Sequence, residues 1–132
     1  MLSITKNFSL EELCRTDTKL DNTPDLNHIV SLCYGVCMIL QPLRDYIGQP
    51  IIINSGFRSK AVNKKVGGVY NSQHMLGQAV DIKVNNEIRS KVWDFLSKCK
   101  LVDQCLGADT FIHVSWTPCG TPRQYYKINY YK

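Results

Sequence analysis

Two histidines and one aspartate are the side chains of this sequence best suited to hold a metal ion. His74 and Asp81 lie in one polar stretch near the middle, and His113 lies in a second stretch further along. Two imidazoles and one carboxylate suit Zn²⁺, which takes three protein ligands in catalytic sites and leaves a fourth position for water. Aspartate is disfavoured in strands, so the apolar, strand-like surroundings of Asp81 need a reason, and a metal ion supplies one. The three residues therefore predict a zinc centre with hydrolytic chemistry.

Arg58 and Ser72 could act on a substrate at such a centre. A guanidinium can bind a carboxylate through two hydrogen bonds, or stabilise an oxyanion as it develops. Ser72 precedes His74 by two residues and could donate a hydrogen bond from the same loop. The alternatives are an exposed arginine with no task and an ordinary turn hydroxyl. His28 lies off the apolar face of a predicted helix, so we expect it at the surface and not at the metal.

Two alternating segments are expected to position Asp81 and His113. In residues 79–84 the β-branched side chains share one face and Asp81 lies on the other, and residues 110–116 repeat this pattern with His113. If the two strands are neighbours, both ligands project from the same side of one sheet.

Helical signals occupy the first third of the chain. Ser9 and Glu12 form a capping box, which predicts a short helix over residues 10–14. A longer apolar helix is expected to begin with Pro24 in its first turn, and to bend or divide near Pro42.

The remaining elements complete an α+β pattern. Residues 51–53 are β-branched and predict a buried strand, and residues 59–66 predict a short helix. Asn86 is expected to cap a helix that extends to residue 99. A last strand, at an edge of the sheet, is expected within residues 126–130. The fold class predicted is a small antiparallel sheet flanked by helices.

Length and composition are those of an ordinary globular domain. The 132 residues predict one domain, 1–132, which is expected to be a monomer, and 44% of them are hydrophobic. The six cysteines show no paired framework, so free thiols in a reducing cytosol are expected. The N-terminus lacks the apolar run of a signal peptide, and no stretch of eighteen apolar residues predicts a membrane span. If the substrate lies outside the cytoplasm, something else would have to deliver the protein.

The formal net charge of +5 favours an anionic partner, such as a cell-wall polymer or nucleic acid, or serves solubility alone. No nucleic-acid-binding motif is present, so nucleic acid is not expected as a partner.

Several motifs resemble the signature of zinc D-alanyl-D-alanine carboxypeptidase-type peptidases, and the resemblance extends over nearly the whole chain. The motifs are Ser55-Gly56-Phe57-Arg58-Ser59, Asn63, Val66-Gly67-Gly68-Val69, Ser72-Gln73-His74, Gly77, Ala79, Asp81 and Ile112-His113-Val114-Ser115-Trp116. The resemblance implies a small α+β domain with an antiparallel sheet, shared with hedgehog signalling domains. It also implies hydrolysis of peptide bonds in peptidoglycan stem peptides.

The same resemblance implies roles for five residues. His74, Asp81 and His113 would bind Zn²⁺, Arg58 would polarise the scissile carbonyl, and Ser72 would contact the substrate.

The sequence departs from the family pattern at the general base. Members of the family usually carry an acid three residues before the second histidine, and that position is Thr110. Asp109 is the candidate for this role, provided that the chain bends between Gly107 and Thr110. Asp103 is expected to be structural.

The missing acid leaves two functions open. One is a D,D-carboxypeptidase or endopeptidase that degrades the bacterial cell wall, with the size of a phage endolysin or virion-associated protein. The other is a catalytically inactive, zinc-containing binding module of the same fold.

Overall fold

A five-stranded sheet forms the centre of the computed structural model, which describes residues 2–131. Its strands are β3 (Ile52–Ser55), β4 (Ala79–Lys83), β5 (Val102–Gly107), β6 (Phe111–Trp116) and β7 (Tyr125–Lys127). The spatial order is β3-β4-β6-β5-β7, and every pair is antiparallel except β5 with β7. A small separate ribbon pairs β1 (Ser3–Thr5) with β2 (Phe8–Ser9). The predicted α+β fold with a small antiparallel sheet is confirmed.

The helices are short, apart from one long run. They are α1 (Leu10–Cys14), α2 (Leu26–Gly35), α3 (Gln41–Ile47), α4 (Lys60–Lys65) and α5 (Arg89–Leu96), with a π-helical turn at Val36–Leu40 and a 3₁₀ turn at Gln73–Leu76. The capping box of Ser9 and Glu12 is present and begins α1, as predicted.

The core lies where the long helical run meets one face of the sheet. Trp116 is fully buried, and its indole Nε1 donates to the Ser31 carbonyl at 2.8 Å. A side chain at Gly35 would collide with the Trp116 ring, so glycine allows α2 to approach the sheet closely. Val80, Ile112 and other strand residues of this face are likewise buried. The helical run covers this face of β4 and β6, and polar side chains lie on the opposite face.

The long helical run does not begin as predicted, but it is interrupted near Pro42 as predicted. Asp25 caps α2 through a hydrogen bond from the His28 amide, so Pro24 lies before the helix and not in its first turn. Since Pro42 has no N–H to donate, the run widens just before it, where the Gln41 amide donates to the Val36 carbonyl in a π-type bond. The run Leu26–Ile47 is long and apolar enough to span a membrane by length and composition alone, a test that core helices also pass.

Other predicted elements shift by a few residues. Ile52 is 52% exposed because it lies opposite the exposed Lys83, on the face of the sheet away from the helical run, so the predicted buried strand has only one buried face. Asn86 does not cap α5: Asn85 accepts hydrogen bonds from the Glu87 and Ile88 amides in the turn before it, and the helix begins at Arg89 without a side-chain cap. It ends at Leu96. The last strand is at an edge, as predicted, but it is β7 (Tyr125–Lys127), which is shorter and pairs parallel with β5.

Candidate metal centre

Three elements bring His74, Asp81 and His113 together. Asp81 on β4 and His113 on β6 are direct cross-strand partners, so their side chains emerge side by side from the free face of the sheet. His74 lies on the 3₁₀ turn that precedes β4. One ligand atom from each residue lies within 4.8 Å of the other two. The condition on which the sequence prediction depended, that the two strands are neighbours, is thus met.

His74 is held by the backbone of another segment. His74 is 3% exposed, and its Nδ1 lies 2.7 Å from the Gly56 carbonyl oxygen. A carbonyl can only accept, so Nδ1 carries a proton, and Nε2 is the ring nitrogen that faces the cluster. Nε2 points to Asp81 Oδ1, 3.3 Å away. This is the usual way in which a metal-binding histidine is oriented, with its other nitrogen bound to a carbonyl or carboxylate.

Asp81 is the centre of the cluster. Its Oδ1 also lies 2.9 Å from Nδ1 of His113, so both imidazoles converge on one carboxylate oxygen. Burial favours the neutral acid, but hydrogen bonds from His113 and His74 outweigh it and hold the pKa of Asp81 well below its usual range. Asp81 is therefore ionised, as a metal ligand must be.

These donors fit Zn²⁺. Two imidazole nitrogens and a carboxylate oxygen form a three-ligand set of the kind found at catalytic zinc sites, and one imidazole already has its supporting hydrogen bond. The three side chains are buried or half-buried, so little reorganisation would be needed on binding.

Arg58 lies beside the cluster and is fixed from three sides. Its Nη2 is 3.4 Å from Asp81 Oδ2, its Nε donates to Ser55 Oγ at 3.0 Å, and its Nη1 donates to Asn63 Oδ1 at 3.3 Å. Asn63 is 3% exposed, and its amide Nδ2 donates to the Val69 carbonyl at 2.8 Å. The prediction for Arg58 gave no role to Asn63, although its place within the motif is the signal that could have identified it.

Ser72 has a structural task as well as a place at the site. Its Oγ accepts from the His74 amide at 3.2 Å and caps the 3₁₀ turn that carries this histidine. The hydroxyl proton remains available, and Ser72 lines the same cavity as the cluster.

An open cavity of about 660 Å³ contains the cluster, Arg58 and Ser72. Its walls include three residues near the C-terminus that the sequence prediction did not include: Arg123, Tyr130 and Tyr131. Burial, and then the negative charge of Asp81, raise the pKa of Tyr131 to about 12, so its phenol keeps its proton at neutral pH. No motif in the sequence marks these residues, because their place depends on how the last strand returns to the sheet.

The structure does not bring Asp109 to the cavity. The chain does turn between Gly107 and Thr110, but as a tight hairpin closed by the Ala108 amide on the Phe111 carbonyl at 2.9 Å. Asp109 lies exposed at the tip of this hairpin, before β6 begins at Phe111. The predicted general base thus finds no support in this geometry.

Asp103, in contrast, is 1% exposed and binds Arg123. This agrees with the structural role expected for it.

Comparison with known proteins places this arrangement in a family. Over 49 residues the chain is 45% identical to a zinc D-Ala-D-Ala carboxypeptidase of Streptomyces albus G, an alignment that covers 36% of this chain. The chain matches 19% of that protein's length, and so spans a small part of it. The sequence model of peptidase M15 matches residues 6–115, which include all three residues of the metal cluster and Arg58. On the strength of this match, the chain belongs to the peptidase M15 family.

Proposed function

We propose that this protein is a zinc metallopeptidase that hydrolyses peptide bonds in peptidoglycan stem peptides. The observation that carries the proposal is the convergence of His74, Asp81 and His113 in an open cavity, with Arg58 against the same carboxylate. Membership of a peptidase family supports the reaction class. The substrate class rests on the partial match to a protein named for D-Ala-D-Ala carboxypeptidase activity.

His74, Asp81 and His113 would hold the ion in this proposal. Bound there, Zn²⁺ would supply Lewis-acid activation of water and of the scissile carbonyl.

Arg58 would bind the substrate carbonyl and stabilise the charge that develops on its oxygen. Its contacts with Ser55, Asn63 and Asp81 use three of the five N–H groups of the guanidinium. The remaining two can donate to a substrate. Because those three contacts fix the plane of the group, little entropy is lost when the carbonyl binds.

Ser72 and Tyr131 would orient the peptide. Both carry a hydroxyl, and both line the cavity that contains the metal cluster. A neutral phenol and a hydroxyl can each donate a hydrogen bond to a peptide carbonyl.

The finer assignments belong to the same proposal. We propose a monomeric D,D-carboxypeptidase or endopeptidase that acts on the bacterial cell wall, and a phage endolysin is one context that fits its size.

The test is digestion of purified peptidoglycan, followed by mass spectrometry of the released fragments. The wild-type protein should release a fragment whose mass identifies the bond, and chelation of the metal should abolish release. Arg58→Lys keeps the charge but loses the planar fork, so turnover should fall roughly 10²-fold with zinc content unchanged. Arg44→Lys, on α3 and outside the cavity, is the matched control and should act as wild type. Equal turnover of Arg58→Lys and Arg44→Lys would remove Arg58 from the mechanism.

One observation favours the alternative, a zinc-containing binding module without activity. Among residues 2–131, Asp81 is the one carboxylate that lines the cavity, and it belongs to the metal cluster. No second acid is therefore placed to take a proton from water. A wild-type protein that binds one zinc and binds muropeptides, yet releases no fragment, would establish this alternative.

A further inference from the structure

The C-terminal segment, residues 117–131, builds one wall of the cavity although it lies beyond the residues matched by the family. Several contacts bind this segment to the sheet. β7 pairs with β5, the Tyr130 and Tyr131 amides both donate to the Gly107 carbonyl, and Arg89 Nη2 donates to the Ile128 carbonyl at 3.1 Å. The segment is thus a fixed part of the site.

Arg123 is the most strongly oriented side chain of the segment. Its Nε donates to both carboxylate oxygens of Asp103, at 3.1 Å to Oδ1 and 3.0 Å to Oδ2, and its Nη2 donates to Oδ2 at 2.6 Å. The Arg123 backbone amide also donates to Asp103 Oδ1, at 2.7 Å. Asp103 is 1% exposed, so the carboxylate lies behind the guanidinium and not in the cavity. Nη2 also donates to Gln73 Oε1 at 3.3 Å, beside His74. The direction of the guanidinium is therefore determined before any ligand arrives.

The outer edge of this guanidinium is unused. The Arg123 side chain is 58% exposed, and Nη1 has no acceptor among residues 2–131. Arg123 lines the same cavity as the metal cluster and Arg58. An arginine that is oriented by a buried carboxylate, and keeps donors on its open edge, is suited to bind an oxyanion.

We propose that Arg123 recognises a carboxylate of the peptide substrate and so determines which peptides are bound. The charges of the cavity fit this role. Arg58 and Arg123 bring two positive charges, Asp81 brings one negative charge, and the family's ion would add two more positive charges. A ligand with a carboxylate is therefore favoured over its neutral amide.

This inference rests on the proposed function for its substrate class. A stem peptide offers carboxylates of two kinds, one at its C-terminus and one on an acidic residue within it. If Arg123 binds the first, the protein acts as a carboxypeptidase; if it binds the second, internal bonds are accessible.

The simpler alternative is that Arg123 only anchors the C-terminal segment to Asp103. In that case its replacement would lower stability and affect all substrates equally.

The experiment compares matched peptides. Three forms of one stem peptide are prepared: unmodified, with the terminal carboxylate amidated, and with the internal carboxylate amidated. The value of kcat/KM is measured for each with wild-type protein, Arg123→Gln and Lys127→Gln. Lys127 is an exposed cation of the same segment that does not line the cavity. Dissociation constants are measured in parallel, by calorimetry, on analogues whose scissile amide is replaced by a CH₂–NH linkage.

One of the two amidations should weaken binding to the wild type, and lower its kcat/KM, by about 10- to 100-fold. This is the range expected for the loss of a charge-assisted hydrogen bond. Arg123→Gln should lose this discrimination, while Lys127→Gln should keep it. Partial unfolding lowers the measured kcat/KM of one variant by the same factor for every substrate, so it leaves the ratio between two substrates unchanged. If Arg123 only anchored the segment, its replacement would change the folded fraction and not this ratio.

Two results overturn the inference: a wild type that treats all three peptides alike, and an Arg123→Gln variant that keeps the wild-type ratio. A protein that discriminates in binding through Arg123 but cleaves no peptide supports the carboxylate site and refutes the peptidase instead.

Discussion

Replacing Gly68 with alanine tests whether the orientation of Arg58 matters for catalysis without touching Arg58 itself. A Cβ at Gly68 would collide with Oδ1 of Asn63 and lie 3.0 Å from Nη1 of Arg58. These are the two atoms that share a hydrogen bond. Asn63 is 3% exposed, and its Nδ2 is bound to the Val69 carbonyl, so its amide has little room to move aside. We expect the methyl group to displace the Asn63 amide and, with it, the guanidinium.

The size of the effect follows from these contacts. Forcing a methyl group into a packed site costs about 1–3 kcal/mol of stability. A catalytic group displaced by about 1 Å can lose roughly 10²-fold in rate. Gly68→Ala should therefore lower the free energy of unfolding moderately and lower kcat by about two orders of magnitude. The three atoms nearest to the added Cβ belong to Asn63 and Arg58 and not to the metal cluster, so zinc content should stay the same.

The neighbouring glycine provides the control. Gly67 has φ +76°, and a Cβ there would meet no atom within 4 Å. Gly67→Ala should cost about 1–2 kcal/mol, because the left-handed conformation disfavours side chains, yet leave Arg58 in place. Urea unfolding measures the stability of both variants, and fragment release from peptidoglycan measures their turnover. If Gly68→Ala keeps the turnover of Gly67→Ala at a similar stability, the placement of Arg58 by Asn63 is not needed for catalysis.

Three further predictions address the metal ligands, Asp103 and Asp109. His74→Ala and His113→Ala should each abolish the binding of about one zinc per chain, measured by elemental analysis, while His28→Ala should retain it; zinc retained by the first two would refute the ligand assignment. Burial favours the neutral acid, but hydrogen bonds from Arg123 outweigh this effect and lower the pKa of Asp103. The ionised Asp103 carboxylate therefore contributes fully to stability above about pH 4, and this contribution is lost as the pH falls below that value. The stability difference between wild type and Asp103→Asn should accordingly shrink on acidification in urea titrations, and a constant difference would contradict the ion pair. Asp109→Asn should keep wild-type turnover, since its carboxylate lies at an exposed hairpin tip; a loss of about 10²- to 10⁴-fold would restore it as the general base.

Local sequence patterns predicted the parts of the fold that depend on local physics. Alternation in β4 and β6 correctly placed Asp81 and His113 on one face, because the period of a strand determines which side chains share a side. The capping box at Ser9 is a contact within four residues, so it too can be recognised from the sequence.

The parts that were missed depend on distant contacts. β5 was not predicted as a strand, because Asp103 and Gln104 interrupt its apolar pattern. Asp103 is explained only by Arg123, twenty residues later, which supplies the charge that allows a carboxylate to be buried. A pairing of this kind leaves no periodic signal.

The two walls of the cavity differ in the same way: one is positioned by local patterns and the other by distant contacts. The matched residues 6–115 supply the metal cluster and Arg58, which are positioned by strand register and by one short loop. The C-terminal segment supplies Arg123, Tyr130 and Tyr131, which are positioned by long-range pairing with β5 and Gly107. The groups proposed to bind the metal and to act on the substrate thus depend on the part of the chain that the family model matches. The groups proposed to select a substrate depend on a part that the match does not include, so in this proposal substrate preference could change there without disturbing the metal centre.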